Sequence, residues 1–134
     1  MKKIVALILS AIFMFSAVAT ISQASNDDIM LCHNNVATAQ SNFSIINGEA
    51  IIAISYVGYP GAVTQARITT KLEKRTLLLF WSDVTEWEDV YTSEDASFEH
   101  RHTVSSGTYR VTVNFEIVGI YGTDSFESEH KESY

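Results

Sequence analysis

The chain has 134 residues, with 9 Lys and Arg against 16 Asp and Glu, a formal net charge of −7 and one cysteine. That length holds one small domain. The acidic balance argues against a nucleic-acid binder and disfavours a polybasic lipid anchor, which both need clustered Lys and Arg, and the lone cysteine excludes an internal disulfide framework and a multi-cysteine zinc site.

Residues 1–24 read as a cleaved signal peptide. Lys2 and Lys3 make a short positive start, an apolar run follows from Ile4 to Ala19, and Ser22 and Ala24 stand where signal peptidase requires small residues. Ser10, Ser16 and Thr20 interrupt the run, which argues against a retained membrane-spanning helix. The expectation is a secreted, extracellular protein of bacterial style, with no membrane association after cleavage. Without the leader, 7 basic residues face 16 acids, so the expected mature chain is more acidic still. Cys32 follows Ile29-Met30-Leu31 and lies beyond the acidic stretch Ser25-Asn26-Asp27-Asp28, which does not fit a lipoprotein signal.

Residues 25–47 are polar and show no sustained period, as expected of a leader strand or a flexible arm; the folded domain is expected over 48–134. Asn47-Gly48 is a turn signal. Ala50–Val57 is β-branched and aromatic, with Ile52, Ile54 and Tyr56 on one face, and Gly58-Tyr59-Pro60-Gly61 closes it. Next, Ala66, Ile68, Thr70 and Leu72 alternate with Arg67, Thr69, Lys71 and Glu73, a half-buried strand for which Lys74-Arg75 reads as the following turn.

Leu77–Thr92 fits two patterns. Leu77, Phe80, Trp81, Val84, Trp87 and Tyr91 recur at helical spacing, whereas the β-branched and aromatic content favours strands. The β character of its surroundings favours strand–turn–strand. Phe98, His100, His102 and Val104 then alternate against Ser97, Glu99, Arg101 and Thr103, and Ser105-Ser106-Gly107 makes a turn. The clearest strand places Tyr109, Val111, Val113, Phe115 and Ile117 on one face. Ser125–Glu132 is a polar last strand or tail. The fold class is therefore all-β, an immunoglobulin-like/fibronectin type III-like sandwich of six or seven antiparallel strands.

The run Ser106–Val113 resembles the start of the penultimate strand of immunoglobulin-like and fibronectin type III-like domains. There a Gly-x-Tyr turn leads into an alternating strand, and the tyrosine can bond to backbone upstream. Together with the strand–glycine-turn–strand unit Ile52–Leu72, Trp87 and Gly107–Phe115, it resembles a family of small secreted bacterial proteins with such a sandwich and no assigned activity. The resemblance spans about Gly48–Ser128 and implies fold and export, not mechanism. The apolar insert Leu77–Trp81 departs from its pattern.

Candidate site residues fall into three groups. Trp81, Trp87 and Tyr91 are candidates for ligand binding: one tryptophan is expected between the sheets, and a second on the surface would stack on a sugar or anchor a protein contact. His100 and His102 share a strand face, where both imidazoles reach one ion if His130 or a carboxylate completes the shell. Cys32, unpaired within the chain, is a candidate for an intermolecular disulfide. No Gly-x-Ser-x-Gly elbow is present, and acid pairs such as Glu86/Glu88 are expected by chance in so acidic a chain, so no catalytic residues and no cofactors are assigned. The expected function is a non-catalytic extracellular binding or adhesion module for a carbohydrate or protein partner. The alternative is a structural component that self-associates as a homo-oligomer through an edge strand or Cys32.

Overall fold

The computed structural model describes residues 28–30 and 34–134; the expected leader and Cys32 lie outside the described residues. Eight strands follow in order: β1 (Asp28–Met30), β2 (Val36–Ile46), β3 (Glu49–Gly58), β4 (Val63–Thr76), β5 (Phe80–Tyr91), β6 (Asp95–Thr103), β7 (Thr108–Gly119) and β8 (Gly122–Ser133). They form two antiparallel sheets, β1-β2-β3-β6 and β5-β4-β7-β8. The seven long strands make an immunoglobulin-like sandwich, with β1 added at an edge. The β3–β6 and β4–β7 neighbours mark the Greek-key crossovers.

The core is made where the alternation is strictest. Ile52, Ile54 and Tyr56 of β3 face Ala66, Ile68 and Leu72 of β4 and Val111, Val113, Phe115 and Ile117 of β7, all buried. Phe43 and Val36 of β2 fill the same layer. All of this core comes from residues 36–117, so the sandwich has a complete apolar interior of its own.

Two polar segments belong to the sandwich. Val36–Ile46, which the composition placed in a polar arm, is a full strand paired with β3 from Val36↔Gly58 to Ile46↔Glu49. Ser125–Glu132, a strand or tail by sequence, is part of β8 and pairs with β7 along its length. Several of their inward positions are small or polar, which hides the alternation, and these groups satisfy one another across the sandwich. Ser41 of β2 bonds Ser128 of β8 and lies 2.8 Å from His130 Nε2. The Asn35 amide donates to Asp124 Oδ2 at 2.8 Å, and Asn35 Nδ2 donates to the Gly122 carbonyl at 2.9 Å. Buried polar groups paired in this way avoid the desolvation penalty that would otherwise expel them.

The tyrosine corner is present. Tyr109 Oη donates to the Ser105 carbonyl at 2.7 Å, clamping the chain as it enters β7, and Gly107 supplies the φ of 152° that the turn needs. Replacing Tyr109 with Phe leaves that carbonyl without its partner. A destabilisation of about 1 kcal/mol is expected, read in urea unfolding as a lower midpoint with unchanged m.

Candidate functional site

The β4–β5 hairpin carries the most unusual chemistry of the fold. β4 does not stop at Lys74-Arg75 as expected; it runs to Thr76, which pairs with Phe80, and the turn is Leu77-Leu78-Leu79. The sequence has no Gly, Pro, Asn or Asp there, so nothing local marks the turn. Leu77 and Leu78 hold φ values of 47° and 66°. Left-handed backbone costs a residue with a Cβ about 1–2 kcal/mol. The β2–β3 hairpin meets a similar demand with Asn47 (φ 51°) and Gly48 (φ 75°), residue types suited to it.

Three of the loop's backbone groups are engaged. The Leu79 amide donates to the Leu77 carbonyl at 2.8 Å, and Arg75 Nε donates to the Leu78 carbonyl at 2.5 Å. Its side chains face solvent: Leu77, Leu78, Leu79 and Phe80 are 86%, 79%, 80% and 64% exposed. The tip is a contiguous apolar projection built on two strained residues.

Behind the tip, β5 is one strand rather than strand–turn–strand, and a one-residue bulge sorts its aromatics. Leu72 pairs with Thr85 but Glu73 pairs with Asp83, so Val84 is the extra residue. From Thr85 onward, Thr85, Trp87, Asp89 and Tyr91 sit opposite the buried β4 positions Leu72, Thr70, Ile68 and Ala66 and point inward. Before the bulge the parity is reversed, and Trp81, opposite Arg75, lies on the outer face. The Arg110 guanidinium covers the Trp81 ring at 4.5 Å from the centroid and bonds Glu73 Oε2 through Nε at 2.8 Å and Nη2 at 2.7 Å. Lys131 pairs with Glu129 at 2.9 Å, and Lys71 with Asp83 at 2.9 Å. The Asp83 hydrogen bond holds Lys71 above the usual ammonium range.

Lys74 and Arg75 differ from those cations. Lys74 donates to the Ser105 hydroxyl at 2.7 Å and lies over the Tyr109 ring, and Arg75 bonds its own loop; neither forms an ion pair among the described residues. A shallow depression of about 220 Å³ beside the tip is lined by Arg75, Leu78, Leu79, Trp81, Thr108 and Lys131.

The remaining candidates converge elsewhere. Trp87 stacks on His100 (centroids 4.7 Å apart, planes 6° apart) and meets His102 edge-on at 6.3 Å. His100 Nε2 lies 2.6 Å from Asp89 Oδ2. Tyr91 packs on Phe98 at 5.2 Å, and burial pushes its phenol pKa up, helped by the charge of Asp89 and by Tyr56. Trp87, Tyr91, His100 and His102 thus form one ring stack that closes the β5–β6 margin between the sheets, apart from Trp81. His130 bonds Ser41 on β2, away from this stack, and no group of three or more His, Cys, Asp or Glu able to hold a metal occurs among the described residues. The sequence reading took no site residue from the tip itself. Its signal was the unbroken run Leu77–Phe80, apolar without alternation, which entered only as part of a helical spacing and as a departure from a family pattern.

No family model and no curated protein matches the chain. Among solved structures it is similar, at a TM-score of 0.41 and 9% identity, to a catalytically inactive OgpA from Akkermansia muciniphila in complex with an O-glycopeptide (glycodrosocin) substrate. The match covers 90% of this chain and 32% of that one.

Two outcomes follow from this geometry. Trp87→Ala removes a half-buried ring from the core margin and is expected to cost about 2–3 kcal/mol in urea unfolding, against less than about 1 kcal/mol for the outer-face Trp81→Ala. The double variant Leu77→Asn/Leu78→Gly relieves left-handed strain and is expected to gain about 1–2 kcal/mol, read as a rise of several degrees in Tm.

Proposed function

We propose that this protein is an exported, non-catalytic binding module whose contact point is the tip of the β4–β5 hairpin. The observation that carries this reading is the set of four large apolar side chains held in solvent on a turn whose two leading leucines are conformationally strained. Folding stability alone favours Asn or Gly at such positions and polar side chains at such exposure, so the sequence is set against stability here. Strain and exposure together at one loop mark a surface that is covered in use.

The ring stack supports the fold rather than a ligand site. Trp87 packs on His100, His100 on Phe98 and Phe98 on Tyr91, and the His100–Asp89 pair is satisfied internally. A sugar platform needs an open aromatic face, and Arg110 already lies over Trp81. Self-association through an edge strand has less support, because β8 carries Glu127, Glu129, Lys131 and Glu132 along its length and β5 carries Asp83, Glu86 and Glu88.

The test compares the protein with Leu77→Asn/Leu78→Gly and Trp87→Phe for retention on cell-wall, membrane and mucin fractions. Retention lost in the tip variant and kept in Trp87→Phe is expected. Equal retention of wild type and tip variant on every fraction would overturn the reading.

A further inference from the structure

We infer that the partner of the hairpin tip is an anionic phospholipid bilayer, into whose interface Leu77–Phe80 inserts. This inference rests on the binding-module reading above and names its partner.

Shape favours a fluid partner. The tip is a convex projection of three leucines and Phe80, whereas protein–protein hot spots are enriched in Trp, Tyr and Arg seated in matching pockets, with Leu under-represented. Hydrocarbon accepts leucine at any orientation and needs no complementary shape. The backbone suits interfacial depth rather than the hydrocarbon core. The Leu77 and Leu78 carbonyls accept bonds from Leu79 N–H and Arg75 Nε, and the loop's remaining backbone groups stay within reach of water and headgroups at the interface.

Charge selects the kind of bilayer. Of the seven cations outside the predicted leader, Lys74, Arg75, Arg110 and Lys131 lie at this end of the molecule, gathered from β4, β7 and β8. Glu73 and Glu129 answer Arg110 and Lys131, while Lys74 and Arg75, immediately behind the leucines, are answered by no carboxylate among the described residues. Two uncompensated cations at the rim of an apolar tip meet lipid phosphates when the tip is immersed. Trp81, next in sequence to Phe80, stands where interfacial tryptophans are found. The net acidity of the whole chain argued against lipid attachment; the fold places two cations that form no ion pair among the described residues directly behind the apolar tip.

The test uses the chain from Ser25, which includes the whole described core. It is sedimented with vesicles of phosphatidylcholine alone and with phosphatidylcholine carrying about a third phosphatidylglycerol. Binding is expected to the anionic vesicles, at least about fivefold weaker on phosphatidylcholine alone or with Lys74→Gln/Arg75→Gln, and weaker at high salt. Leu77→Asn/Leu78→Gly, which keeps the fold, is expected to lower binding by about 30-fold or more, given the transfer free energy of leucine side chains. Brominated lipid is expected to quench Trp81 emission in the Trp87→Phe protein.

No binding to anionic vesicles, or binding unchanged in the tip variant, would overturn the lipid assignment. If the tip variant still loses retention on a protein or polysaccharide fraction, or loses a wild-type dimer on sedimentation velocity, the tip is a contact point for another partner and only the bilayer is excluded. Loss of tip dependence in every assay would overturn both.

Discussion

Strand β4 is shared by both halves of its sheet, hydrogen-bonded to β5 on one side and β7 on the other, so its register fixes what each neighbour presents. With β7 it pairs in step from Gln65 to Lys74, and Ile68, Thr70 and Leu72 meet Phe115, Val113 and Val111 in the core. With β5 it slips by one residue at Val84. A period of two makes such a slip decisive, because one inserted residue sends every side chain beyond it to the opposite face. Trp87 is thereby sent to the interior and Trp81 to the exterior. The charges that steady Trp81 come from three adjacent strands that only this register aligns.

The β2–β3 and β4–β5 hairpin turns show how differently one conformational demand is met. Asn47-Gly48 is the chemistry that folding favours, a residue that tolerates positive φ followed by one with no Cβ to clash. Leu77-Leu78 adopts positive φ against a steric cost and exposes apolar surface as well. The stability of the sandwich core carries that cost, since β3, β4 and β7 bury a shared layer of aliphatic and aromatic side chains. A stiff, well-packed scaffold can hold a loop that is unfavourable in the free molecule.

Much of this was legible in the chain. β3, β4 and β7 show strict alternation because one face of each is fully buried against apolar neighbours, and the Gly107-x-Tyr109 unit announced its corner. β2 and β8 were obscured because Ser41, Ser128, Asp124 and His130 face inward in polar pairs, so burial there does not look apolar. The alternation put His100, His102 and Phe98 on one strand face, whereas Trp87 and Tyr91 lay in a segment whose period fitted two structures. That they would meet as one stack required β5 and β6, edge strands of different sheets, to come together, and no local spacing encodes that approach.

The sequence by itself determined the β class, the turns built on Asn, Gly and Pro, and the apolar faces of the central strands, because side-chain period and backbone preference are local properties. Only the tertiary structure decided which tryptophan is inside, where the hairpin turns, and which cations stand unanswered behind the leucines. Those facts depend on register and on the packing of residues far apart in the chain. A net charge summed over the chain carries no such information, since what a surface meets is the charge that folding gathers at one place.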